Sequence, residues 1–112
     1  MGKLLVQKFG GTSLASLKRI EAVADIIYKT VSEGNKSAVV VSAMAGETDR
    51  LIDLSNQVQL TLNPNLREYD ALVSTGEQIS VALMAMALIK RGLKAKSYTA
   101  YQLGICTNER HG

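Results

Sequence analysis

The hydrophobic positions of this chain change period as it is read from the N-terminus. Leu4 to Phe9 is a short apolar run. Leu14, Leu17, Ile20, Val23, Ile27 and Val31 then recur at three- and four-residue spacing, with Lys18, Arg19, Glu21 and Lys29 between them. That spacing predicts an amphipathic helix over 14–33, and Gly34 is placed to end it as a C-terminal cap. Ser37 to Ala43 is β-branched and apolar through its centre, the pattern of a parallel strand covered on both faces. Strand, crossover helix and strand make a βαβ unit.

The second half is mostly helical in pattern. Met44 to Thr48 is small and turn-forming, and Leu51, Ile52, Leu54, Ser55, Val58 and Leu62 follow with moderate helical spacing until Asn63-Pro64-Asn65 breaks it. A short helix is expected over Arg67 to Val73, then a turn at Ser74-Thr75-Gly76-Glu77, then a helix from Gln78 to Arg91 that Gly92 stops. Ile79 through Ile89 is almost wholly apolar, but a membrane span needs roughly 20 such residues and this run has about half, which rejects it. A helix apolar on all sides is buried instead, in the core or against a partner subunit. Lys94 to Thr99 is a candidate third strand. Three strands and four helices read as an unfinished α/β sheet, so the expectation is a fragment, or a chain that completes its sheet with another.

Composition narrows the class further. The 112 residues are one domain at most, and 46% hydrophobic with 21% charged content is that of a globular protein. The net charge of +3 is mild, and the densest basic cluster, Lys90, Arg91, Lys94 and Lys96, falls at a helix end where cations complement the macrodipole. With few aromatics and no nucleic-acid motif, no nucleic-acid partner is expected. One cysteine, Cys106, excludes an internal disulfide, one histidine, His111, leaves no metal constellation, and no secretory signal opens the chain. A cytoplasmic location follows as an expectation.

The candidate chemistry sits at the loops. Lys8-Phe9-Gly10-Gly11-Thr12-Ser13 joins the first strand to the first helix. Its glycines allow a sharp turn, its N–H groups would sit at a helix N-terminus, and Lys8 adds a positive charge, which together suit a phosphate. The bland alternative is a tight turn with Thr12 or Ser13 as N-cap. Right-handed crossovers place both strand ends at one sheet edge, so Ser42 to Thr48 should face the same crevice. There Ser42 and Thr48 offer hydroxyls, although for that loop alone the position of Thr48 better suits a cap for the next helix. Glu77 carries the same ambiguity: a first-turn glutamate suits the helix dipole whatever the protein does, with Thr75 as cap.

Taken together, Lys8 to Ser13, Val41 to Thr48 and Ser74 to Glu77 resemble three blocks of the aspartokinases, in family order and at family-like separation. Arg67 to Asp70 and Ile105 to His111 extend the likeness over essentially the whole chain, and it looks closest to the bacterial monofunctional type. Ala45, Ala100 and Cys106 depart from the family pattern. The resemblance implies an α/β fold, part of an amino-acid-kinase αβα sandwich with a mainly parallel sheet, and makes residues 1–112 the N-terminal portion of that domain without ACT regulatory domains. It also implies that Lys8, Gly10, Gly11 and Ser13 hold ATP phosphates, with Lys8 catalytic. Ser42 and Thr48 line the aspartate site, and Glu77 meets the substrate ammonium.

The implied reaction is phosphoryl transfer from ATP to the side-chain carboxylate of L-aspartate, at the head of lysine, threonine and methionine biosynthesis. An aspartate carboxylate of pKa about 3.9 is already an ionised nucleophile, so no general base is needed. The obstacle is repulsion between anions, which Lys8, backbone donors and the Mg²⁺ expected with ATP would offset; no protein metal ligand is assigned. A homo-oligomer without membrane association is expected, and the 112 residues alone should be inactive because the second half of the nucleotide pocket is missing. Two other readings stay open: a sister kinase acting on another acid, and a non-catalytic α/β module that binds phosphate or oligomerises.

Overall fold

A computed structural model describes residues 2–59 and 66–98. Two strands, β1 (Leu4–Phe9) and β2 (Lys36–Val41), pair in parallel with Leu4 opposite Lys36 and Phe9 opposite Val41. Between them run a 3-10 turn, Gly11–Leu14, and helix α1, Leu17–Ser32. Helix α2, Glu47–Gln59, and the 25-residue α3, Leu66–Lys90, follow β2.

The expected βαβ unit is present. Ile20, Val23 and Ile27 are buried as the periodicity predicts, together with Ala24 and Leu14, and they pack against Met84, Ala87 and Leu88 of α3. Gly34 and Gly92 sit at φ +93° and +89° just past the ends of α1 and α3, the left-handed conformation a glycine cap supplies. Helix α1 starts later than its pattern suggests. Ser16 caps it by accepting from the Arg19 N–H at 3.2 Å, and Leu17 is exposed. Neither Thr12 nor Ser13 is the cap; both lie in the 3-10 turn. The second strand stops at Val41, short of the expected end at Ala43, and the Ser42 N–H donates to the Phe9 carbonyl as the last rung of the parallel ladder.

The largest departure lies in the second half. The helices expected over 67–73 and 78–91 are one continuous helix, α3. Ser74 and Thr75 do not break it because their hydroxyls donate back to the carbonyls of Ala71 and Leu72, at 2.9 and 2.7 Å. Length therefore no longer excludes a membrane span, since α3 is long and apolar enough to cross one. Its packing on α1, α2 and β2 makes it a helix of this domain instead. It is buried along one face only, through Gly76, Ser80, Met84, Ala87 and Leu88, while Ile79, Met86 and Ile89 are exposed. Residues 94–98 form no strand ladder among the described residues, and Thr99 and the break at 63–65 lie outside them.

Among the described residues the sheet is covered on one face alone. Leu5, Gln7, Phe9, Ser37, Val39 and Val41 turn inward, whereas Leu4 and Val6 are 69% and 71% exposed on the other side with Val40 beside them. Lys8 lies on that same outward face. The expectation of a strand covered on both sides is not met among the described residues, because the helices that contact β2, α1 and α3, pack together in one core on its inward side.

An ion cluster ties α1 to the end of α3. The Arg91 guanidinium donates to Asp25 Oδ1 and Glu21 Oε1, both at 2.8 Å, and to the Ala87 and Glu21 carbonyls; Lys90 Nζ reaches Glu21 Oε2 at 2.6 Å. The basic cluster at the helix end is thus partly engaged with α1. Hydrogen bonds from Lys90 and Arg91 hold the Glu21 carboxyl below its ordinary value of 4.5. A depressed folded-state pKa contributes stability that is complete above the unfolded value and lost as pH falls through the folded one. Acid melting should therefore lower Tm progressively below about pH 4.5, and Glu21→Gln should flatten that part of the Tm–pH curve relative to wild type.

Candidate functional site

In a parallel in-register pair both carboxyl ends reach the same edge, so the loops after β1 and β2 meet there. The Ser42 N–H donates to the Phe9 carbonyl at 3.2 Å, which ties the second loop to the end of the first strand. A Cβ added at Gly11 would lie 3.9 Å from the Ala45 Cα, so the two loops face each other at close range. The third segment arrives from α3: a Cβ added at Gly76 would stand 3.1 Å from the Ala43 Cβ, 3.4 Å from Leu51 Cδ1 and 3.7 Å from Glu47 Cγ. The structure thus brings Gly10 to Ser13, Ser42 to Thr48 and the Gly76–Glu77 step of α3 to one edge of the sheet.

The glycines of the first loop act differently from expectation. Only Gly34, Gly46 and Gly92 have positive φ among the described residues; Gly10 and Gly11 do not. Their use is therefore space, not backbone freedom. A Cβ on Gly10 would meet nothing within 4 Å, which leaves open room beside the strand end. The Ser13 N–H is spent on the Gly10 carbonyl at 3.0 Å, and the turn that follows is one 3-10 turn, with α1 starting only at Leu17. The positive charge beside this loop is carried by the Lys8 ammonium, which is exposed and has no protein partner among the described residues.

The second loop presents Ser42, half-buried, with its hydroxyl donating to the Ala43 carbonyl at 3.3 Å. Thr48 is not a cap. Gly46, at φ +82°, precedes α2, and its carbonyl takes the Arg50 N–H at 3.1 Å, which puts Thr48 inside the first turn, exposed and with its hydroxyl unpartnered among the described residues. Glu47 in the same turn is held below the usual carboxylate range by the Arg50 guanidinium, bonded at 2.7 Å.

Glu77 is not a first-turn residue, nor is Thr75 a cap. Glu77 lies about three turns into α3, past the reach of the N-terminal dipole, exposed and without a protein partner among the described residues. Opposite charges thus sit on two of the three converging segments, Lys8 on the first and Glu77 on the third. Spacing alone assigns Gly76 to a turn and misses its role. Its signal is a glycine placed within a long helical pattern, which marks close packing. No group of three or more metal-ligating side chains occurs among the described residues.

Comparison with known proteins bears on what such a site handles. Residues 3–111 match the model of the amino acid kinase family. The aspartate kinase of Pseudomonas putida is 55% identical over 108 residues, which are 96% of this chain and 26% of that protein. The aspartokinase of Geobacillus stearothermophilus is 50% identical over 109 residues, 97% of this chain and again 26% of the relative. The chain thus spans about a quarter of the length of the curated relatives it matches. Among solved structures, an aspartate kinase from Synechocystis superposes with a TM-score of 0.74 at 53% identity, over 79% of this chain and 15% of that one. E. coli aspartokinase III, solved in complex with aspartate and ADP, matches in fold with a TM-score of 0.63 at 22% identity, over 96% of this chain and 38% of that one.

Proposed function

This chain belongs to the amino acid kinase family, and on that premise we propose that it is the N-terminal segment of an aspartate kinase. The proposed reaction moves a phosphoryl group from ATP to the side-chain carboxylate of L-aspartate, giving 4-phospho-L-aspartate. The observation that carries the reading is the convergence of three separate segments at one sheet edge, with a lysine on one and a glutamate on another that are both unpaired among the described residues.

The roles follow from the chemistry of each group. Lys8 meets the phosphates in the open space beside Gly10, where its charge offsets that building up on the transferring group, with Gly11 next in the same turn. Ser13 stands in the same turn. Ser42 and Thr48 present hydroxyls to the acceptor, and Glu77 takes its ammonium, which turns the side-chain carboxylate toward the phosphate. No residue has to remove a proton, because that carboxylate is ionised at neutral pH. Mg²⁺ bound with the nucleotide would spread its charge, and no residue of this chain is assigned to it.

These 112 residues hold only part of such a site. Alone they should show no aspartate-dependent ATP turnover, while the full-length polypeptide should give an aspartyl phosphate trapped by hydroxylamine as the hydroxamate. Hydroxamate formation with a different acid, and none with aspartate, would favour a sister kinase. Turnover by the isolated chain at about 1 s⁻¹ or more would contradict its being a segment.

A further inference from the structure

We propose that Gly76 is a positioning residue of this site: the hydrogen in place of a side chain lets α3 seat against the loop after β2, and that seat fixes Glu77 relative to Thr48. The inference rests on the aspartate kinase reading. Gly76 is buried, and a Cβ there would press on the Cβ of Ala43 at 3.1 Å and on Leu51 at 3.4 Å. Ala43 and Leu51 are themselves buried, so neither side of the contact swings aside freely. A few tenths of an ångström of movement is the least that alanine would force.

The choice of residue is informative because it runs against local preference. Alanine is the better helix former at an interior position, and glycine is tolerated there when a neighbour must come close. Glu47 brings its aliphatic stem to the same spot, 3.7 Å from where a Cβ would lie, and Arg50 bonds its carboxylate at 2.7 Å. Thr48 follows Glu47 on α2 and Glu77 follows Gly76 on α3. The contact is therefore one residue from each of two groups assigned to the acceptor, and a change in its depth moves one against the other. Small displacements of positioning groups are costly to a reaction that depends on alignment.

The experiment is steady-state kinetics on Gly76→Ala in the full-length polypeptide, with Ala43→Gly as a second-site partner. The expected result is an aspartate KM raised about tenfold and a nucleotide KM within about twofold of wild type, with the crowding cost to Tm partly offset by alanine's better helix propensity. Ala43→Gly removes the methyl that the new side chain at position 76 would strike, and should bring the aspartate KM of the double variant back toward that of Ala43→Gly alone. Ala43→Ser crowds the same contact from the loop side and should raise the aspartate KM by itself. An unchanged aspartate KM in Gly76→Ala, or a double variant that is simply additive, would overturn the positioning role while leaving the kinase reading intact. A wild-type polypeptide that phosphorylates no aspartate would overturn both.

Discussion

Lys8→Met in the full-length polypeptide is expected to lower kcat about 100-fold or more, with a much smaller change in the aspartate KM and none in Tm. The lysine lies near the end of β1 on the outward face of the sheet, exposed and with no protein partner among the described residues. Nothing described in the fold therefore depends on its charge, and surface substitutions of that kind shift stability by about 0.5 kcal/mol at most. On the proposed reading its ammonium acts when a phosphate arrives in the space beside Gly10, where an added Cβ would meet nothing. Charge that is stronger in the transition state than in the bound substrates acts on kcat, which is the signature to measure. Kinetics indistinguishable from wild type would reduce Lys8 to an ordinary strand-end residue.

The second large effect is expected at Glu77. Glu77→Gln should raise the aspartate KM at least about tenfold and leave the ATP KM within about twofold, because the substrate ammonium would lose the charged partner assigned to it on this chain. The structure makes this test cleaner than the sequence did. A glutamate in a first helical turn would cost stability when neutralised, through the helix dipole, but Glu77 lies in the middle of α3 with no ion pair to break among the described residues. Thermal melts of Glu77→Gln and wild type should therefore coincide. A lowered Tm with an unchanged aspartate KM would show that the residue serves the helix and not a substrate.

Much of this architecture can be read from residue spacing, for physical reasons that also explain the failures. Ile20, Val23 and Ile27 are spaced for one face of a helix and are buried on one face. Gly34 and Gly92 end helices because a left-handed residue is needed there and glycine supplies it at little cost. Those are local decisions. The continuity of α3 is not, since Ser74, Thr75 and Gly76 look like a turn until their surroundings are known. The two hydroxyls satisfy themselves within the helix, and the glycine is held by Ala43, far earlier in the chain. Spacing misplaces the start of α1 for a similar reason: Leu14 fits the helical period and is fully buried, but from a 3-10 turn ahead of the cap at Ser16.

The candidate site is legible in outline, because parallel strands joined by a right-handed crossover must bring their carboxyl ends to one edge. What spacing does not reveal is how its parts touch. The glycines after β1 serve by occupying no space, Thr48 is free of capping duty, and the third segment is fastened through Gly76 instead of through a turn. Nor does spacing reveal that Leu4, Val6 and Val40 stand exposed beside Lys8 on the outward face of the sheet.

The most direct test is a crystal structure of the full-length polypeptide with L-aspartate and ADP bound. Phosphate oxygens are expected within hydrogen-bond reach of Lys8 Nζ, beside Gly10 and Gly11. The aspartate ammonium is expected against the Glu77 carboxylate, with Ser42 and Thr48 along the same ligand. Aspartate bound away from the loop after β2, or a nucleotide whose phosphates leave Lys8 free in solvent, would contradict this assignment of the site.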